Sequence, residues 1–221
     1  MGTSYDVIRW HLDHLSLKHR GKVALVVPAF EAMPADPLNK HPDSPASAAK
    51  TYSYPENKTV LLAQERHGLV EPFHIHFFPA AHMPTNFTKW RTASIPYRIH
   101  YGPYFEPYVV VSVAAIPPYV EEFLGRQMNK VTHIRALHSK HFQFWVLPDV
   151  YTVHLPHEVE RSPQDYWRCV NSIANLVMLK IQEAEEKSNN THDVIPHIYK
   201  RGSDVRRGTE SSEKEDAELQ R

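Results

Sequence analysis

The 221-residue chain has one cysteine, seven glycines and no excess of either charge. A lone thiol, Cys169, excludes an intrachain disulfide and is compatible with a reducing or an oxidising compartment. Basic and acidic side chains number 25 each, so the formal net charge is zero. That balance removes the electrostatic case for a nucleic acid or an anionic membrane as partner. No apolar run nears the roughly 20 residues a membrane helix needs, so no membrane segment is expected. Met1 to Arg20 is polar and rich in His and Arg, unlike a secretory signal. Few glycines beside eighteen prolines predict loops shaped by proline more than by left-handed glycine turns.

What is present indicates a folded body: 42% hydrophobic and 11% aromatic residues in a length that suits one core plus a tail. Apolar spacing predicts a helix over Tyr5–Leu17, then a buried, parallel strand over Val23–Val27 stopped by Pro28. Met33 to Ser53 reads as a loop or insertion, and Asn57 to His67 as a short helix ending at Gly68. Val70 to Phe78 is strand-like and carries His74 and His76, which would share a face. Pro79 to Arg98 is loop-rich, and Tyr108–Val113 is a second strand. Tyr119–His138 reads as a buried helix, followed by extended segments at His141–Leu147 and Tyr151–His154. Ser162-Pro163 opens a long helix with Tyr166, Val170, Ile173, Leu176, Val177 and Ile181 on one face. Residues 1–187 would form the domain, and 188–221 a disordered charged tail. The alternation predicts an α/β fold on a mainly parallel or mixed sheet.

Four clusters could carry chemistry. In Met83 to Thr92, Asn86, Lys89 and Arg91 suit hydroxyls and phosphates. Trp90 there is either a flat face for a sugar or a buried anchor. Glu106 stands beside Pro107 at a strand start, placed to orient a hydroxyl or simply facing solvent. Asn129 and Lys130 could meet a ligand or form the solvated face of a helix. His154 and His157 form one histidine pair, His74 and His76 another, in a chain with sixteen histidines. Two histidines without carboxylates do not make a site for a hard cation. Sequons occur at Asn57, Asn86 and Asn189. The residues alone reach an α/β domain with a polar loop cluster and name no reaction.

Taken in order, several segments resemble one family. Ala24-Leu-Val-Val-Pro-Ala-Phe-Glu31, Pro84-Thr-Asn-Phe-Thr-Lys-Trp-Arg-Thr92 and Phe105-Glu-Pro-Tyr-Val-Val-Val111 are similar to the second, glucuronyltransferase domain of LARGE-type xylosyl- and glucuronyltransferases, glycosyltransferase family 49. Asn129-Lys-Val-Thr-His133, Val146-Leu-Pro148 and Tyr151-Thr-Val-His-Leu-Pro-His157 continue the pattern, which runs from about Tyr5 to about Lys180. The resemblance implies a GT-A-type nucleotide-sugar transferase fold, incomplete at the N-terminus. It implies a UDP-sugar donor (UDP-glucuronate), a xylose-containing glycan acceptor on a glycoprotein such as α-dystroglycan, and Mn2+ as cofactor. Asn86, Lys89, Trp90, Arg91, Glu106, Asn129 and Lys130 would bind donor or acceptor, and His154 matches the late metal-binding histidine. The setting implied is the Golgi lumen, within a type II membrane protein; a homo-oligomer is one assembly open to it.

The departures are specific. The family's D-x-D, whose two carboxylates share the metal, precedes the segment equivalent to Tyr5–Arg9, and no D-x-D follows it here. Val120 stands where relatives carry Asp, and Gly125-Arg-Gln-Met-Asn-Lys130 where they carry Gly-x-Gly-Trp-Asn-Lys. The truncated pattern is therefore expected to be inactive alone, or to mark a non-catalytic relative that binds a partner.

Overall fold

Val23 to Val27 forms β1, five consecutive residues buried on both faces. β1 pairs parallel with β6 (Gln143–Val146) and antiparallel with β5 (Tyr108–Val111). β4 (Tyr97–Ile99) adds antiparallel to β6, giving the order β4-β6-β1-β5. Pro28 has no N–H to continue the ladder, so β1 stops there. Its carbonyl is still used, accepting from Thr152 N at 2.9 Å. The chain re-enters a strand at once as β2 (Ala29–Ala32), the centre of a second sheet. β2 lies between β3 (Val70–Pro72, antiparallel) and β7 (Thr152–His154, parallel). The expected mixed α/β architecture is present, distributed over two sheets. The computed structural model describes residues 4–33, 52–123, 127–155, 157 and 164–192.

Helices cover these sheets according to their apolar stripes. α1 (Ser4–Lys18) lays Ile8, Leu12 and Leu15 against Val23, Leu25, Val27 and Leu147. α2 (Lys58–Arg66) starts where Asn57 Oδ1 accepts from Val60 N at 3.0 Å, and Gly68 follows it at φ 69°. α3 (Phe87–Thr92) supplies Phe87 and Trp90 to the main core, and α4 (Asn129–Ser139) supplies Ile134 and Leu137. α5 (Gln164–His192) buries Val170 and Ala174, and its Glu185 accepts from both Arg135 guanidinium nitrogens at 2.6 and 2.5 Å. Leu176, expected on that face, is 60% exposed. It stands six residues beyond Val170, about 120° away around a helix of 3.6 residues per turn.

Contacts divide the chain into Met1–Glu185, which holds both sheets, and Glu186–Arg221. α5 runs to His192, so the expected tail boundary at residue 187 falls inside a helix. Residues 193–221, the Ser162 cap and most of the Met33–Ser53 segment lie outside the described residues.

Three local expectations change. The strand at Val70 ends at Pro72, because His74 adopts φ 56° and its N–H donates to Glu31 Oε1 at 2.8 Å. His74 and His76 therefore sit in a turn and share no strand face. Helix α4 begins at Asn129 and not at Tyr119, since Gln127 at φ 85° cannot belong to a right-handed helix. Pro79–Arg98 is more regular than expected, containing two 3-10 turns, α3 and the start of β4. Left-handed turns also survive the shortage of glycine. Arg20, His74, Asn86, Tyr104, Gln127 and His141 adopt them, each at a cost on the order of 1–3 kcal/mol.

Trp90 ties α3 to the sheet. Its side chain is 0% exposed, and Nε1 donates to Leu147 O at 2.9 Å across 57 residues of sequence. The Phe30 ring packs 5.2 Å from it and the Tyr151 ring 6.1 Å, centroid to centroid. Trp90→Ala should lower unfolding free energy in urea by about 3–5 kcal/mol through the cavity. Trp90→Phe should lower it by roughly 1–3 kcal/mol, mainly through the buried carbonyl left without its donor.

Candidate functional site

His154, at the end of β7, is in register with Glu31 of β2, so both side chains leave the sheet on one face. Glu31 is fixed by the donation from His74 N described above. The buried ring of Phe73 binds this corner together: its centroid is 4.8 Å from His154, 3.8 Å from His74 and 5.3 Å from His82. His157 stands 5.0 Å from His154 on the outer side. His82 is 2% exposed, and its Nε2 has no hydrogen-bond partner. Burial pushes its pKa down to about 3, with the charges of Lys130 and His74 adding to the effect. The imidazole is thus neutral across the physiological range, with Nε2 buried and without a hydrogen-bond partner.

Lys130 approaches the same place from the first turn of α4. Its Nζ lies 4.4 Å over the Tyr108 ring. Burial lowers its pKa, and the Glu106 carboxylate opposes that by favouring the ammonium form. Glu106 is held at the entry to β5, where its N–H donates to Ala81 O at 3.0 Å, one residue before His82. Burial, then Glu106, raise the pKa of Tyr108. Asn129 acts locally, its Oδ1 accepting from Lys130 N at 2.7 Å. Glu106, Tyr108, Lys130 and His82 are therefore one electrostatically coupled group, joined to His154 through Phe73.

The remaining predicted residues stand elsewhere. Asn86, Lys89 and Arg91 line a cleft of about 750 Å³ that shares no lining residue with that group. Asn86 adopts φ 57°, and its Oδ1 caps α3 by accepting from Lys89 N at 3.1 Å. Arg91 is already occupied, donating to both Glu65 oxygens at 2.9 and 2.5 Å. Trp90 is a core residue and offers no face to a sugar, which selects the buried-anchor reading. Asn86 is an exposed sequon residue on the cleft wall, so a glycan there would cover the cleft. Sequence reasoning missed Phe73 and His82 and named His74 only as a pair with His76, because the segment reads as a strand that the turn after Pro72 replaces. The bracketing Pro79 and Pro84 were the available hint of a built loop.

Among the described residues no three His, Cys, Asp or Glu side chains converge on one point. These side chains do not by themselves make a divalent-cation site. Where the family pattern carries Asp, Val120 packs with Phe123, Met128, Tyr166 and Val170 in an apolar cluster. Gln127 takes a left-handed turn at a position where that pattern has Gly.

The family model described as glycosyl-transferase for dystroglycan matches residues 3–172. The chain belongs to this glycosyltransferase family. Among curated relatives, xylosyl- and glucuronyltransferase LARGE2s of Gallus gallus is 38% identical over 153 residues, covering 69% of this chain and 18% of that protein. Xylosyl- and glucuronyltransferase LARGE2 of Homo sapiens is 35% identical over 175 residues, covering 76% and 22%. LARGE1 of Homo sapiens is 35% identical over 175 residues, covering 76% and 21%. The chain thus spans about a fifth of the length of these relatives. Membership accounts for the ordered motifs.

Two measurements check this description. For His82, the folded pKa lies below the unfolded one, so the unfolded state binds the extra proton between about pH 6.5 and 3. The stability that neutral His82 contributes is present above pH 6.5 and is lost as pH falls toward 3, by up to about 1.4 kcal/mol per pH unit. Melting curves against pH should be flatter over this interval in His82→Leu, with a residual slope from buried His133, whose pKa burial also lowers. Gln127→Gly should raise the unfolding free energy by about 1 kcal/mol, since glycine adopts φ 85° without strain.

Proposed function

We propose that this chain is part of a sugar-transfer domain acting on a nucleotide-sugar donor, UDP-glucuronate, and a xylose-containing glycan acceptor on a glycoprotein such as α-dystroglycan. The observation that carries the reading is the convergence of Lys130, Glu106 and His82 on one corner with His154. Transfer breaks the bond between the sugar C1 and the departing diphosphate and forms a bond from C1 to the acceptor oxygen. The acceptor hydroxyl gives its proton to a base. Lys130, partly desolvated and held charged by Glu106, suits the diphosphate, because a cation in a low-dielectric setting stabilises the growing negative charge. Glu106 accepts a hydrogen bond from a sugar hydroxyl and orients it. Buried His82 stays neutral and so lines the corner without adding charge.

His154 is the residue of this chain that would help hold a divalent cation such as Mn2+. The paired carboxylates that the family pattern supplies would complete the shell, and the cation would supply neutralisation of the diphosphate. The Golgi lumen, within a membrane-anchored protein, is the setting that goes with this reading. A second reading is favoured by one observation: Val120, in the place of the family's Asp, is packed into an apolar cluster. In that reading the chain retains ligand binding and lacks turnover. Calorimetric titration with UDP-glucuronate and Mn2+, followed by a turnover assay, separates the two. Lys130→Ala should weaken nucleotide-sugar binding about 10- to 100-fold, the worth of a hydrogen bond to a charged group. Unchanged binding in that variant would remove Lys130 from the site.

A further inference from the structure

α5 carries a second stripe, on the side away from the one it buries. Ser172, Leu176, Leu179 and Glu183 are all exposed and recur at intervals of four, three and four residues, the spacing of a helix–helix seam. Leu179 stands nine residues beyond buried Val170, about 180° around the helix. Leu176 is 60% exposed and Leu179 55%. The helix is held at both ends of this stripe: Val170 and Ala174 sit in an apolar cluster, and Glu185 accepts from both Arg135 nitrogens. The stripe therefore lies on a fixed backbone, with little ordering left to pay on association. The family model ends at Ser172, so both leucines and Glu183 lie beyond it.

Charge then selects what covers the stripe. Arg168 lies one turn before Ser172, and Glu183 one turn after Leu179. Within the chain Arg168 pairs with Asp165 at 3.5 Å, the side chains 74% and 93% exposed, and so exposed a pair holds an arginine weakly. Two copies of α5 set parallel would oppose arginine to arginine and glutamate to glutamate. Set antiparallel, the stripe complements itself. Each Leu176 meets the partner's Leu179, Ser172 lies level with the partner's Glu183, and Arg168, one turn away, comes within side-chain reach of that carboxylate. We propose that α5 is a self-association surface, on which two copies of this chain pair antiparallel through Leu176 and Leu179 with Arg168 toward the partner's Glu183. The inference is independent of the transfer chemistry.

Sedimentation equilibrium of the full chain tests it. The mass should rise with concentration from 25.6 kDa toward twice that value. Leu179→Glu should weaken association at least tenfold with an unaltered melting temperature, because the side chain is exposed. Arg168→Glu should weaken it roughly three- to tenfold, and adding Glu183→Arg should restore it. In a Cys169→Ser background, a mixture of Ser172→Cys and Glu183→Cys chains should be joined by a short bismaleimide, while neither variant is joined to itself. A mass that stays at 25.6 kDa up to about 1 mM would overturn the proposal, leaving the stripe to a different protein. So would association that survives Leu179→Glu, absence of rescue in the charge-reversed pair, or either single-thiol variant joining to itself as readily as the mixture.

Discussion

The run from Val23 to Ala32 is the constraint on which the rest of the structure depends. In ten residues it provides the paired interior strand β1 of one sheet and the central strand of the other, with Pro28 as the break between them. Each half is paired on both sides, so neither can shift register without exposing the apolar side chains of both sheets. Because β6 pairs with β1 and β7 with β2, the Leu147–Tyr151 connection must cross the same break. Leu147 N donates to Val26 O and Thr152 N to Pro28 O, which satisfies the backbone there. The indole of Trp90 reaches the carbonyl of Leu147 at that crossing, and His154 emerges three residues after Tyr151.

Placement of charge follows from this frame. β2 and β7 put Glu31 and His154 on one face, the turn after β3 brings Phe73 and His74 against them, and His82, between the two 3-10 turns, packs on Phe73. β5 and α4 deliver Glu106 and Lys130 to the same corner from the other sheet. Burial then does chemical work: it keeps His82 neutral and partly desolvates Lys130, whose ammonium form Glu106 favours.

Much of the frame was legible in the residues. Continuous apolar runs closed by proline identified β1 and β6, and a short segment closed by Gly68 identified α2. The long amphipathic pattern identified α5. The failures occurred where the backbone leaves its regular regions. A left-handed His74 ended a segment whose composition reads as strand, and a left-handed Gln127 delayed the start of α4. Glycine normally announces such turns; here non-glycine residues occupy them, so no signal marks the positions. Trp90 was ambiguous for a different reason. An indole beside Lys and Arg is consistent with a sugar platform or an anchor, and only its zero exposure and bond to Leu147 O decide between them.

By itself the sequence determined family, the long helices, the strands at Val23 and His141, the candidate side chains and the departures from the family pattern at Val120 and Gln127, because these depend on local pattern and ordered motifs. Only the tertiary structure decided how those side chains are grouped. It sent Glu106 and Lys130 to the His154 corner and Asn86, Lys89 and Arg91 to a separate cleft, took Trp90 into the core, separated His74 from His76's strand face, and added Phe73 and His82. The reason is physical: grouping depends on contacts between strand residues 38 to 123 positions apart, through pairing and burial, and no local pattern encodes such distances.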